Sequence, residues 1–308
     1  QVNAQKVFDR KMIKQTPLKC LGTNGRGAMM RAHAAWSQIR SKYDGLLAAN
    51  LNMDYPDDRH IMLSRCRAWL VFQGYSQDVG IECQEQFWLQ NSDGGSWRFT
   101  IPCGQGQHVS LLFSAWMIVN ENHVALTVNR QPAGDASDRL PDDKPVRLII
   151  RPDIDDRNFH TNTKAFMGPE QKWPESCRTL NRGFQFAPDT GRKLVMQSTA
   201  GEFIWEPEWQ YMIYLPVEAE RSMDPHTDLF SPGYFSFYLK GDQSTNLTAT
   251  VATDSKEMKT TKQISLKQPP NKEIPFDTAL EDALKAYIVR RGRLHTVIAG
   301  YPWFLDWG

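Results

Sequence analysis

Two stretches of the sequence gather groups that could do chemistry. "RPDIDDRNFH" (151–160) places Asp153, Asp155 and Asp156 between Arg151 and Arg157. "FIWEPEWQYMIYLPVEAERSMDPHTDLFSPGYF" (203–235) interleaves Glu206, Glu208, Glu218 and Asp228 with aromatic rings. For any one of these carboxylates, ion pairing at a strand end is the simpler expectation. The functional reading is a sugar site, because a pyranose offers apolar C–H faces to flat rings and hydroxyls to carboxylates and arginines. Other chemistries find less support. The seven histidines (His33, His60, His108, His123, His160, His226 and His295) form no H-x-H or H-x-x-x-H pair, and no cysteine lies at ligand spacing from them, so no metal or other cofactor is expected. A G-x-S-x-G elbow is absent. "LGTNGRGAMM" (21–30) carries Gly22, Gly25 and Gly27, but the spacing differs from a dinucleotide fingerprint and no strand–helix context surrounds it, so turns and close backbone approach are expected there.

The elements that must position these groups are strands. From about Ile61 onward, period-2 alternation is broken by Gly, Pro, Asn and Asp. In "HVALTVNR" Val124, Leu126 and Val128 share a face, and in "YFSFYLKG" Phe235, Phe237 and Leu239 do. Short apolar runs ("RLIIRP", "FQFAPD", "KLVMQST", "TATVATD") recur at sandwich spacing, with turns expected at 91–95, 103–107, 130–145, 188–191 and 240–243. The fold class is therefore mainly β, a large antiparallel β-sandwich. Arg31 to Lys42 reads either as helix or as irregular chain leading into a strand at "YDGLLAANL". A helix is expected over Phe276–Arg291, where Phe276, Leu280, Leu284, Tyr287 and Ile288 keep helical spacing between Pro275 and Gly292. The linker "SLKQPPNKEIP" (265–275) precedes it. The expected organisation is a β-sandwich domain over 1–270, then a linker helix and the start of a second domain over 271–308.

Composition bounds the partners. At 41% hydrophobic, 23% charged and net charge +1, the chain has the makeup of a globular protein without the basic footprint of a nucleic-acid or anionic-membrane binder. The longest apolar run, Val109 to Val119, is about half the roughly 20 residues of a membrane span and reads as a buried strand. Five separated cysteines (Cys20, Cys66, Cys83, Cys103 and Cys177) read as reduced thiols of a cytoplasmic protein. The segment "TVIAGYPWFLDWG" (296–308) is unusually aromatic for a chain end; it is expected to fold back onto the protein or to continue into further sequence.

That segment also carries a resemblance. "AYIVRRGRLHTVIAGYPWFLDWG" (286–308) closely resembles the junction at which the bacterial and archaeal type of glycogen debranching enzyme, the amylo-alpha-1,6-glucosidase family, enters its catalytic (α/α)6 barrel. Three further stretches are similar to that family in order: "TNGRGAMMRAH" with "RSKYDGLLAANL", "VRLIIRPDIDDRNFH", and "EAERSMDPHTDLFSPGYFSFYLKGDQ". Asp44 stands where the family commonly has His, and Ser222 where Gly is usual. The resemblance implies a supersandwich-like N-terminal domain whose partner is its own C-terminal catalytic domain, absent from this sequence. It implies glycogen, limit dextrin or malto-oligosaccharides as ligands, and hydrolysis of α-1,6-linked glucose stubs as the activity. Both catalytic carboxyl groups are then expected downstream of Gly308, leaving this stretch inactive alone. Tyr301, Trp303, Asp306 and Trp307 are the expected substrate contacts, the rings as platforms and Asp306 as hydroxyl acceptor. Without the barrel, the last ten residues are expected to be disordered or to lie on an apolar surface. A stand-alone glucan-binding module using residues 203–238, or a purely structural sandwich, are the alternatives.

Overall fold

A computed structural model describes residues 3–90, 93–253 and 273–306. The alternating stretches form strands, and these pair almost wholly antiparallel into two large sheets. One runs, in spatial order, Cys177–Leu180, Gly183–Asp189, Arg192–Ser198, Ser244–Ala252, His123–Arg130, Gln107–Met117, Gly94–Gly104, Gln84–Gln90 and Val7–Asp9. The other runs Glu202–Tyr214, His226–Leu239, Val146–Asn158, Arg59–Phe72, Gly45–Asn50, Met29–His33 and Lys19–Thr23, with Tyr75–Asp78 pairing on the far end of Arg59–Phe72.

The inward faces meet in one core. Trp36, entering from the loop after Met29–His33, packs edge-on against Trp97 (centroids 4.9 Å apart) and Phe113 (5.0 Å) of the facing sheet. Around them lie Phe99, Leu111, Leu148, Ile150, Phe235 and Phe237, all buried, each at alternate positions of its strand as a pleat requires. The exposed edges are short or irregular. Glu202–Tyr214 pairs on one side only and carries Pro207 and two register shifts, between Trp205 and Glu208 and between Gln210 and Ile213, which make it a poor template for another strand.

The C-terminal helix is shorter than its periodicity predicts. It starts at Phe276 behind Pro275 as expected but ends at Lys285; Ile288–Arg291 instead pairs with Leu294–Val297 in a hairpin turning at Gly292. The physical reason is tertiary: the Arg290 and Gly292 amides donate to the Gly25 and Asp54 carbonyls at 2.8 and 2.6 Å, partners that an intrahelical ladder would forfeit. Arg31 to Lys42 is not helical. Its start belongs to Met29–His33 and its remainder is irregular. The "SLKQPPNK" part of the linker lies outside the described residues.

Phe113→Ala should lower stability by about 3–5 kcal/mol, through lost burial and the cavity left beside Trp36. Denaturant unfolding would show this as a lower midpoint at unchanged slope; a loss under about 1 kcal/mol would mean the two sheets do not share this core.

Candidate functional site

The second sheet is amphipathic in an unusual way, because the face turned from the core is also largely covered. At one end of it Met29, Tyr43, Ala48, Ile61 and Phe159 form a small apolar cluster, and the chain's last described segment lies on this cluster through Tyr301 and Leu305. Arg59 clamps the segment. The residue is 1% exposed, and its guanidinium sits between the rings of Phe159 (4.9 Å) and Tyr301 (5.0 Å). Its Nη1 donates to the Pro302 carbonyl and its Nε to that of Gly27, both at 2.9 Å. Gly27 has φ +93°, and a Cβ there would come 2.7 Å from Pro56, so the glycine-rich stretch serves close backbone approach. Its amides are used locally, since the Asn24 side chain accepts from the Arg26 and Ala28 N–H groups.

Beside this clamp the segment turns Trp303 outward. Its ring meets Tyr43 edge-on at 6.0 Å, and the Arg221 guanidinium lies 5.4 Å from its centroid. Tyr43 donates to or accepts from His160 Nδ1 at 3.0 Å. Burial, with the Lys42 and Arg59 charges, holds His160 below the usual histidine range, so at neutral pH it is an uncharged partner. Burial pushes the Tyr301 phenol up to about 12 against the opposing pull of Arg59. The Tyr301 hydroxyl and Arg59 Nη2 have no hydrogen-bond partner among the described residues.

The loop bearing Tyr43 is fixed by two buried carboxylates. Asp44 accepts from Arg31, from His33 Nε2 (2.8 Å) and from the amides of Arg40 (2.8 Å) and Ser41 (2.9 Å). Burial alone would raise its pKa, but the His33 hydrogen bond and the Arg31 charge outweigh it and hold the carboxyl below the ordinary range. Glu218, from the Pro216–Glu220 turn of helix, accepts from Ser41 Oγ (2.9 Å) and the Lys42 amide (3.1 Å). Arg157 completes the join, bonding Asp155 at 2.6 Å and the Lys42 carbonyl at 2.7 Å.

Further along the same face, the charged residues singled out in the sequence pair across strands. Asp153 holds Arg65 (2.7 Å) and Arg67 (2.8 Å), while Glu206 and Glu208 hold Arg151 (2.5 and 3.3 Å). These pairs lie on the sheet face instead of at strand ends. Asp156 pairs with Arg192 at 2.5 Å, and Asp228 accepts from the Ala165 and Met212 amides, a structural use. Much of the aromatic run 203–238 points inward: Phe203 and Trp209 pack on the core, and Phe230, Phe235 and Phe237 belong to it. Among the described residues no group of three or more His, Cys, Asp or Glu could hold a metal ion.

Of the expected contact residues, Tyr301 is half-buried as an anchor, Trp303 is 38% exposed, and Asp306 pairs with Arg291 at 2.9 Å. Trp307 lies outside the described residues. Sequence reasoning missed Arg59, Arg65, Arg67 and Trp69; each stands at an outward position of the strand Arg59–Phe72, where alternation of Arg and Trp with buried Cys66, Ala68 and Leu70 was the available signal.

Two antiparallel sheets about one core, with a polar and aromatic outer face, define an all-β sandwich domain. By sequence, the chain belongs to the family described as "Glycogen debranching enzyme N terminal", which matches residues 19–246. No curated protein matches the chain. Among solved structures it is similar to a bacterial glucoamylase complexed with acarbose, at 7% identity and TM-score 0.37, covering 82% of this chain and 34% of that one. It is also similar to the heparan sulfate lyase HepC of Pedobacter heparinus, at 10% identity and TM-score 0.34, covering 75% and 34%. The chain thus spans about a third of the length of these two structures. Among the described residues no helix is long and apolar enough to cross a membrane.

Asp44 yields a pH test. A carboxyl with a depressed folded pKa contributes stability that is present above its unfolded value, about 3.9, and lost as pH falls through the folded value. Asp44→Asn should therefore cost about 3–5 kcal/mol at pH 7, the cost of breaking a buried pair, and progressively less below pH ~4. A stability difference that does not change between pH 7 and pH 3 would contradict the ionised hub.

Proposed function

We propose that the chain is the N-terminal β domain of a glycogen debranching enzyme whose catalytic domain hydrolyses α-1,6-glucosidic stubs of glycogen limit dextrin. In this reading residues 1–270 form the sandwich, and 271–308 form the helix and first part of an (α/α)6 barrel. The enzyme is cytoplasmic and needs no cofactor. The family match supports the reading. The single observation that carries it is the clamping of the Ala299–Asp306 segment onto the sandwich by Arg59 while Trp303 faces outward.

The chemistry assigns different tasks to the two domains. Hydrolysis needs one carboxylic acid to protonate the glycosidic oxygen and one carboxylate to activate water, about 6.5–9.5 Å apart for an inverting enzyme. Both belong to residues after Gly308, so residues 1–308 alone are inactive. What this domain supplies is placement. Trp303 serves as a flat platform for a glucosyl ring and Asp306, oriented by Arg291, accepts a sugar hydroxyl, with Tyr301 and Trp307 as the further contact residues. The part of the outer sheet face around this segment packs on the barrel.

In the enzyme carrying both domains, glucose release from limit dextrin should lose roughly tenfold in kcat/KM on Trp303→Ala, as for an aromatic contact worth about 1.4 kcal/mol. Asp306→Ala should reduce it by at least as much. Undiminished kcat/KM in both variants would remove this segment from the substrate site, and failure of the parent to release glucose would overturn the assigned reaction.

A further inference from the structure

We infer that the outer face of the second sheet carries a separate binding strip for a linear α-glucan, centred on Trp69 and Tyr234. The strip starts six residues beyond Arg59 on the same strand, away from Trp303. Trp69 stands next to Arg67 in outward alternation, and the Arg67 guanidinium lies 5.6 Å from its ring centroid. One strand over, Arg151 is paired in register with Arg67; its guanidinium lies 5.3 Å from the ring of Tyr234, on the strand beyond. With about 4.8 Å between strands and a two-residue offset along them, the Trp69 and Tyr234 positions stand roughly 12 Å apart, a span that a short oligosaccharide bridges.

The arginines are pinned. Arg67 is held by Asp153 and Glu208, and Arg151 by Glu206 and Glu208. Each guanidinium is therefore fixed beside its ring, so little rotamer entropy is left to lose on binding. Asp153 is buried, whereas Glu206 and Glu208 are 61% and 39% exposed and offer acceptor oxygens to a ligand.

The charge balance selects the occupant. Arg65, Arg67 and Arg151 are answered by Asp153, Glu206 and Glu208, three against three. A nucleic acid needs a surplus of cations, and a protein partner needs an interface centre depleted of charge. A neutral chain of sugar rings needs flat apolar faces flanked by paired donors and acceptors, which is what this strip presents. The identification of the sugar as an α-glucan rests on the proposed function.

The test is retardation of the full chain in native gels containing glycogen, with titration by maltoheptaose. Trp69→Ala and Tyr234→Ala should each weaken binding by about fivefold to tenfold, and the double variant should abolish retardation. Trp69→Phe, which keeps a flat ring, should retain most of it. Should Trp69→Ala fail to fold, Tyr234→Ala and Arg151→Gln carry the same expectation. Undiminished affinity in folded Trp69→Ala and Tyr234→Ala overturns the strip, as does failure of the parent chain to bind either glucan. Neither result bears on limit-dextrin hydrolysis, which decides the proposed function separately.

Discussion

A guanidinium taken out of water must be given acceptors, and the second sheet places a row of them on the face that is turned from the core. Arg31, Arg59, Arg65, Arg67, Arg151 and Arg157 all stand there, every one half-buried or buried. Leaving such a group unanswered costs several kcal/mol, so the rest of that face is arranged around them. Asp44 answers Arg31, Asp153 answers Arg65 and Arg67, Glu206 and Glu208 answer Arg151, and Asp155 answers Arg157. Arg59 is the exception. Among the described residues it has no carboxylate and relies on two carbonyls and two ring faces. Two of those four contacts, the Pro302 carbonyl and the Tyr301 ring, come from the C-terminal segment, so the segment and the arginine stabilise each other.

This arrangement explains the division of the molecule. The first sheet buries apolar side chains against the second and uses its outer surface conventionally. The second sheet needs loops to cover its charged face, and the loop through Tyr43 and Asp44, the short helix ending at Glu220 and the segment 299–306 do so. Where cover stops, Glu206 and Glu208 meet solvent beside the half-buried Arg65, Arg67, Trp69 and Tyr234. Specific recognition of a polar, uncharged ligand asks for such a surface, because fixed donors and acceptors lose little entropy on engagement.

Strand alternation and turn chemistry made the sandwich legible from sequence. Phe235, Phe237 and Leu239 point inward as their spacing predicts, and "CGQGQ" turns where its glycines allow, with Gly104 and Gly106 at positive φ. What sequence could not supply was cross-strand register. Arg65 and Asp153 are 88 residues apart, and nothing local says that they meet. The helix expected to reach Arg291 stops at Lys285 because Gly25 and Asp54 offer carbonyls to the chain beyond it, an interaction invisible to periodicity. The carboxylates of 151–160 read as ion-pairing groups and do pair, but the meeting of Asp153 with Arg65 and Arg67 on a sheet face depends on a strand with no motif of its own. The aromatic run 203–238 divides: five of its ten rings, Phe203, Trp209, Phe230, Phe235 and Phe237, pack in or on the core, while Trp205, Tyr211, Tyr214 and Tyr238 are exposed.

In the proposed arrangement this face, and not the opposite sheet, meets glucan. Amide hydrogen exchange of the full chain with and without maltoheptaose tests it most directly. Added protection is expected over residues 65–71 and 231–236, and none over the strands Arg192–Ser198 and Ser244–Ala252 of the other sheet. Protection confined to the other sheet, or no change at saturating ligand, would contradict it.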